Sequence, residues 1–287
     1  MFKSNMNERH YLYGIARANC PLPSLGPGVD DRFPVELAHC GQLGALTSRV
    51  GLDRFDPTKL QAGTTDVQWL SDVAVRHNAI LTEASKCGPL LPLRLGVLFQ
   101  SRDSLLDKVV HHEDRVSEFL GSLGDHHEWS VKVYLDEVLA QRELLEAGFH
   151  TGESSDQPDR AGVAPGQGAL YLQARQQHQA RLQQLQAIVR KEVLAVERSL
   201  QGLADAWRQL QTLPRALLSR RHKMVANGAY LLPRSGERSF QTNCGHLQQD
   251  LAPKGLILES SGPWPAYHFC PTLDAEEEQH AATSPEL

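Results

Sequence analysis

Between Trp69 and Leu123 the hydrophobic period changes twice, and few folds accommodate that. Trp69, Val73, His77, Ile80 and Ala84 recur at three- and four-residue steps, one face of an amphipathic helix. Thr65 and Gln68 have capping-box spacing at its start, and Gly88-Pro89 ends it. Then Leu91, Leu93, Leu95, Val97 and Phe99 occupy every second position, which predicts one strand with a single buried side and puts Arg94, Gly96 and Leu98 on the other face. The helical period returns in Leu106, Val109, Val116, Phe119 and Leu123, a helix capped by Ser101 or Asp103 and ended by Gly124. Upstream, Tyr11 to Arg17 reads as a strand and the Pro/Gly stretch from Pro21 to Gly28 as loop. Val35 to Cys40 and Leu43 to Val50 form a hairpin in which Gly41 takes the positive φ. The mixed order predicts an α+β domain over residues 1 to 126.

A second unit is expected over residues 127 to 273. Ser130 to Leu135 reads as a strand followed by a short helix to Ala147, and the Gly/Pro/Ser/Asp-rich residues 148 to 168 as a disordered insertion. A Gln-rich, proline-free helix is predicted from Ala169 to Leu210. Its stripe Leu182, Leu185, Val189, Val193, Val196, Leu200, Leu203, Trp207, Leu210 is nearly heptad, as suits either a helix laid on a sheet or a coiled-coil arm. Ala216 to Ser219 and Lys223 to Leu232 read as a strand pair, Glu237 to Leu251 as a helix stopped by Pro253 and Gly255, and Leu256 to Glu259 as the last strand. The order β-α-β-β-α-β is the split pattern of a ferredoxin-like fold.

Charge narrows the partners. The chain has 29 Lys+Arg and 34 Asp+Glu, a net charge of −5 that resides in the acidic, disordered tail of residues 274 to 287. The neutral body lacks the basic footprint of nucleic-acid binding and meets little electrostatic resistance to protein association. Residues 168 to 223 nevertheless hold ten Lys+Arg against three acids, a basic segment suited to an acidic partner or to the tail. No apolar leader or spanning segment is evident, so a cytoplasmic location and no membrane partner are expected. Five cysteines without CxxC spacing read as reduced, structural thiols.

No motif for nucleophilic, metallo- or nucleotide chemistry is present, so neither enzyme activity nor a cofactor is expected. His111-His112 and His126-His127 invite a metal hypothesis, but adjacent helical residues diverge by about 100° and cannot share one ion. His77 on an apolar stripe reads as a hydrogen-bonded core histidine. Arg94 is either a snorkelling edge residue or a recognition contact. Trp264, between two prolines in GPWPAYHF, is read as held in an extended segment outside any ladder, as core plug or aromatic anchor. The candidate partner contacts are Arg94, Trp264, Tyr267, Arg190 and Arg198.

Six segments in order resemble the gas vesicle protein F and L family: YLYGI at Tyr11, the Trp69 to His77 run, LPLRLGVLF at Leu91, EWSVKVY at Glu128, GALYL at Gly168, and GAYLL with GPWPAYHF near the end. The match spans residues 11 to 270. It departs at Leu95, where the family often has an aromatic residue, and in Cys270 with the acidic extension beyond. The resemblance implies a two-domain α+β protein with a modified ferredoxin-like second domain. Its implied role is non-enzymatic: assembly of the gas-filled buoyancy shell, by binding the small hydrophobic shell subunit or other accessory proteins, or as a minor shell component. Holding such a subunit calls for an apolar groove with a polar rim. The competing readings are a ferredoxin-like small-molecule regulatory protein, with an anion site at Arg94 and the basic segment, and a metal hydrolase using the histidine pairs.

Overall fold

The computed structural model describes residues 7–55, 67–150, 167–215 and 222–273. They form two compact units, one of residues up to Glu128 together with those from Pro263 onward, the other Trp129–Gly262. The class is α+β, as expected.

In the first unit, β1 (Glu8–Arg17), β2 (Glu36–Cys40), β3 (Leu43–Gly51), β4 (Leu90–Pro92) and β5 (Leu98–Phe99) make one antiparallel sheet. Its order is β2-β3-β1-β4, with β5 also on β1. The hairpin between β2 and β3 turns at Gly41, φ 59°. Helix α1 (Val67–Ser85) covers one face through Val73, Ile80, Leu81 and Ala84, packed with Tyr11 and Tyr13. Helices α2 (Arg102–His111) and α3 (Glu113–Leu123) cover the other, where Leu105, Val109, Val116 and Leu120 meet Leu12 and Ile15. A register shift between Leu12 and Gly14 explains the parity of β1: Tyr11 and Tyr13 face α1, yet Ile15 faces α2 and α3 while Ala16 returns to the α1 side.

Two elements differ from expectation. The strand foreseen from Leu91 to Phe99 is two short ones, because Gly96 takes φ 89° and the chain makes a turn between them. Leu91, Leu93, Val97 and Phe99 still reach the α2/α3 side, but Leu95 is turned to the α1 side with Leu98. The single helix foreseen after Ser101 breaks at His112 (φ −108°, ψ 13°), so that two short helices each present an apolar stripe to the sheet. Ser101 supplies the cap: its hydroxyl accepts the Ser104 amide at 3.1 Å, and the Ser104 hydroxyl accepts the Ser101 amide at 3.2 Å. The capping pair foreseen at Thr65 lies outside the described residues.

The second unit holds β6 (His126–Leu135) from Trp129 onward, α4 (Glu137–His150), α5 (Gln167–Gln201), β7 (Ala206–Gln209), β8 (Lys223–Pro233), α6 (Glu237–Leu251) and β9 (Leu256–Trp264) as far as Gly262. The sheet order is β7-β8-β6-β9. Trp129, Val131, Val133 and Leu135 alternate into a core with Val196 and Leu200 of α5 and Phe240 of α6.

Helix α5 stops nine residues short of the expected end, at Gln201. The Asp205 amide donates to Leu231 O at 3.0 Å and draws the chain into an antiparallel ladder, Trp207 opposite Tyr230. Trp207 is therefore a strand residue, and β7 is the partner of β8 that was sought at Ala216 to Ser219, outside the described residues. Of the long stripe, Leu185, Val193, Val196 and Leu200 are buried in the sheet core, whereas Leu182 is exposed. The stripe is thus a sheet-covering face from Leu185 onward. The insertion foreseen at 148 to 168 is narrower at both ends, since α4 runs to His150 and α5 begins at Gln167; residues 151–166 and the tail from 274 lie outside the described residues.

Candidate interaction surface

A groove of about 700 Å³ runs along α1 beneath the proline-rich arm that follows β1. Beside the stripe that α1 buries, its flank carries Asp72, Arg76, Ala79 and Glu83, one turn after another, with Val75 further round, all exposed. Val75 is 67% exposed, an apolar side chain on what the sequence marks as the polar face. Pro23, Leu25 and Pro27 form the facing wall and Ile80 reaches up from the core. The floor is apolar, and Asp72, Arg76 and Glu83 supply a charged rim.

The arm is fixed from below. The Tyr13 hydroxyl accepts the Val29 amide at 2.8 Å and meets Ser48 Oγ at 2.8 Å. Burial pushes that phenol up to about 12. Gly28 lies so close to Ser48 that a Cβ would stand 2.4 Å from its hydroxyl, so glycine is required there. Val35 N donates to Gly26 O at 2.9 Å and Gly28 N to Phe33 O at 2.8 Å, closing the arm on itself. Asp30, buried, accepts the Gly51 amide at 3.0 Å and a two-pronged contact from Arg32 at 2.8 and 2.6 Å. Burial raises its carboxyl, but Arg32 and the Gly51 amide outweigh that and hold it below the usual value.

Under α1, His77 is a core histidine, as its place on the stripe suggests. Its Nε2 faces Leu93 O at 3.1 Å and its Nδ1 the Tyr11 hydroxyl at 2.9 Å. A carbonyl only accepts, so Nε2 carries a proton, and burial, which disfavours the charged form, keeps the ring neutral. Burial lowers its pKa to about 4.

The five candidate contacts do not converge. Arg94 is exposed in the turn between β4 and β5 rather than within a strand. Trp264, half-buried, is the last residue of β9 and so belongs to a ladder after all. Tyr267 packs against the α1-side core, and its hydroxyl donates to Asn78 Oδ1 at 2.9 Å. His268 meets the buried Glu128 through its amide (2.9 Å) and its ring (2.5 Å). These bonds attach the segment from Pro263 to the first unit, not to the second as expected. Arg190 and Arg198 are exposed on α5 in the second unit. Among the described residues, no group of three or more His, Cys, Asp or Glu side chains is assembled for a metal, and no helix is long and apolar enough to cross a membrane.

The family model for gas vesicle synthesis protein GvpL/GvpF matches residues 9–271. The chain belongs to that family. It is 29% identical over 275 residues to gas vesicle protein L of Streptomyces sp. (strain CB03234), covering 94% of this chain and 95% of the relative. Gas vesicle protein F of the same strain is 27% identical over 265 residues, covering 90% and 98%. Among solved structures, the crystal structure of GvpF from Anabaena sp. PCC7120 superposes with a TM-score of 0.64 at 17% identity, covering 92% of this chain and 97% of that one. GvpF from Microcystis aeruginosa gives 0.63 at 17% identity, covering 92% and 99%. These two likenesses establish the fold. The resemblance read from the six sequence segments is therefore borne out at the level of the family. The groove was not legible in the sequence, because its walls are distant in the chain; the signals were Val75 outside the stripe and the Pro23 to Pro27 run.

Proposed function

We propose that this protein is a non-catalytic assembly factor of the gas vesicle, acting in the cytoplasm and at the growing shell, and that its α1 groove receives an apolar segment of the small shell subunit or of another vesicle accessory protein. The observation that carries this reading is the groove itself: an apolar floor with a charged rim on a rigid helix, in a chain of the gas vesicle synthesis family. A shell-forming subunit is insoluble until placed, so a carrier has to cover its apolar surface reversibly; a shallow groove framed by charge does so without permanent burial.

Arg190 and Arg198 on α5 are a second, basic contact surface in this reading, and Arg94, Trp264 and Tyr267 are contacts on the first unit. The test is co-expression with the shell subunit. Val75→Glu and Ala79→Glu, both on the exposed face, should lower the soluble fraction of the subunit and the vesicle yield several-fold while leaving the thermal transition of the purified protein in place. Unchanged solubility and yield would sink the groove as the site, and unchanged yield on deleting the whole protein would sink the assembly role.

A further inference from the structure

Two cysteines, Cys20 and Cys87, lie near one another just beyond the residues that line the groove. Strands β1 and β4 pair as Gly14 with Pro92, Ile15 with Leu91 and Ala16 with Leu90. Continued past the ladder, the same antiparallel course brings the chain leaving β1, at Cys20, opposite the turn that leaves α1, residues 86–88. The Cys20 sulfur lies against that turn, 3.6 Å from where a Cβ on Gly88, the residue after Cys87, would stand. Both are free and half-buried. Cys20 opens the proline-rich arm and Cys87 follows α1, so each adjoins a segment that walls the groove.

We propose that Cys20 and Cys87 are a redox couple that closes to an intramolecular disulfide on exposure to hydrogen peroxide, tying the proline-rich arm to the C-terminal end of α1. The Cys87 thiolate attacks one peroxide oxygen, the O–O bond breaks, and the departing hydroxide takes up the thiol proton as water, leaving a sulfenic acid. Cys20 then attacks that sulfur; the S–S bond forms, the S–OH bond breaks, and the hydroxyl leaves as a second water with the Cys20 proton. Two thiols lose two electrons and two protons, and one peroxide becomes two waters. Burial pushes the Cys20 thiol up, which disfavours it as the thiolate that meets peroxide first.

The other three thiols lie elsewhere in the fold. Cys244 is buried in the second unit, its thiol held up at about 11 by burial. Cys40 ends β2 at one edge of the first sheet, whereas Cys270 lies by Pro92 O at the β4 edge, with β3 and β1 between them.

The test uses the full chain, treated with hydrogen peroxide, alkylated and digested without reductant. The expected result is a Cys20–Cys87 linked peptide and loss of two of the five alkylatable thiols, both recovered with dithiothreitol. Cys20→Ser should leave a dimedone-reactive sulfenic acid at Cys87, and Cys244→Ser should leave the bridge unchanged. Undiminished alkylation of Cys20 and Cys87, or bridges to Cys40 or Cys270 instead, would overturn it. Peptide mapping needs no vesicle partner, so this outcome is independent of what the groove holds.

Discussion

The Tyr11 hydroxyl donates to His77 Nδ1 at 2.9 Å, joining the centre of β1 to the centre of α1 inside the core. The same hydroxyl accepts the Gly96 amide at 3.1 Å, and the imidazole donates its Nε2–H to Leu93 O at 3.1 Å. One phenol and one imidazole thus tie the helix, the central strand and the turn that carries Arg94. Tyr11→Phe removes the donor to Nδ1 and the acceptor for Gly96 N–H while preserving volume. The expected loss, read from urea unfolding, is about 1–3 kcal/mol, the cost of leaving buried polar groups unpaired.

His77 also sets a pH dependence. In the unfolded chain its imidazole titrates near 6.5, in the folded core near 4. Between those values the unfolded state binds the extra proton, so stability is full above pH 6.5, falls as pH drops, and levels off near pH 4. The shift corresponds to an amplitude on the order of 3 kcal/mol. His77→Gln should flatten the urea midpoint between pH 7 and pH 4.5. The Asp30 carboxyl, held below its usual value, contributes only at lower pH still.

Elements whose signal is local were legible: the Gly41 hairpin, the α1 stripe with His77 on it, the Ser101 cap and the bounds of α6, Glu237–Leu251. What escaped depends on distant chain. The Leu91 to Phe99 alternation is sound as a pattern, yet Gly96 and the bonds from Tyr11 and His77 impose a turn within it. Leu203 and Trp207 continue the helical spacing of α5 by coincidence of step, but the helix ends at Gln201 and the Leu231 carbonyl captures the chain at Asp205, before Trp207. The groove and the Cys20–Cys87 approach each join segments some fifty or more residues apart, which no periodicity reports. The family resemblance rested on order of motifs and so was immune to these local errors.

The division of α5 can be measured. Leu200 is fully buried in the core of the second unit, whereas Leu182, on the same stripe, is 36% exposed. Leu200→Ala should destabilise by about 2–5 kcal/mol, as for a core leucine leaving a cavity. Leu182→Ala should stay within about 0.5 kcal/mol, as for a surface position. Equal losses at both sites would mean that the helix is packed along its whole length.

Gly28 offers the sharpest separation between stability and groove shape. An alanine Cβ there would stand 2.4 Å from Ser48 Oγ and 2.7 Å from the Tyr13 hydroxyl, so the arm has to lift or the Tyr13–Ser48 pair has to part. Overpacking of this kind costs about 1–3 kcal/mol. Gly28→Ala should therefore lower the thermal midpoint by several degrees and, by moving Pro27 and Leu25 away from α1, weaken capture of the shell subunit in the co-expression assay. Val75→Glu should weaken capture without the thermal loss, because Val75 is exposed. A Gly28→Ala protein that melts like the wild type would show that the arm is not seated on Tyr13 and Ser48 as described.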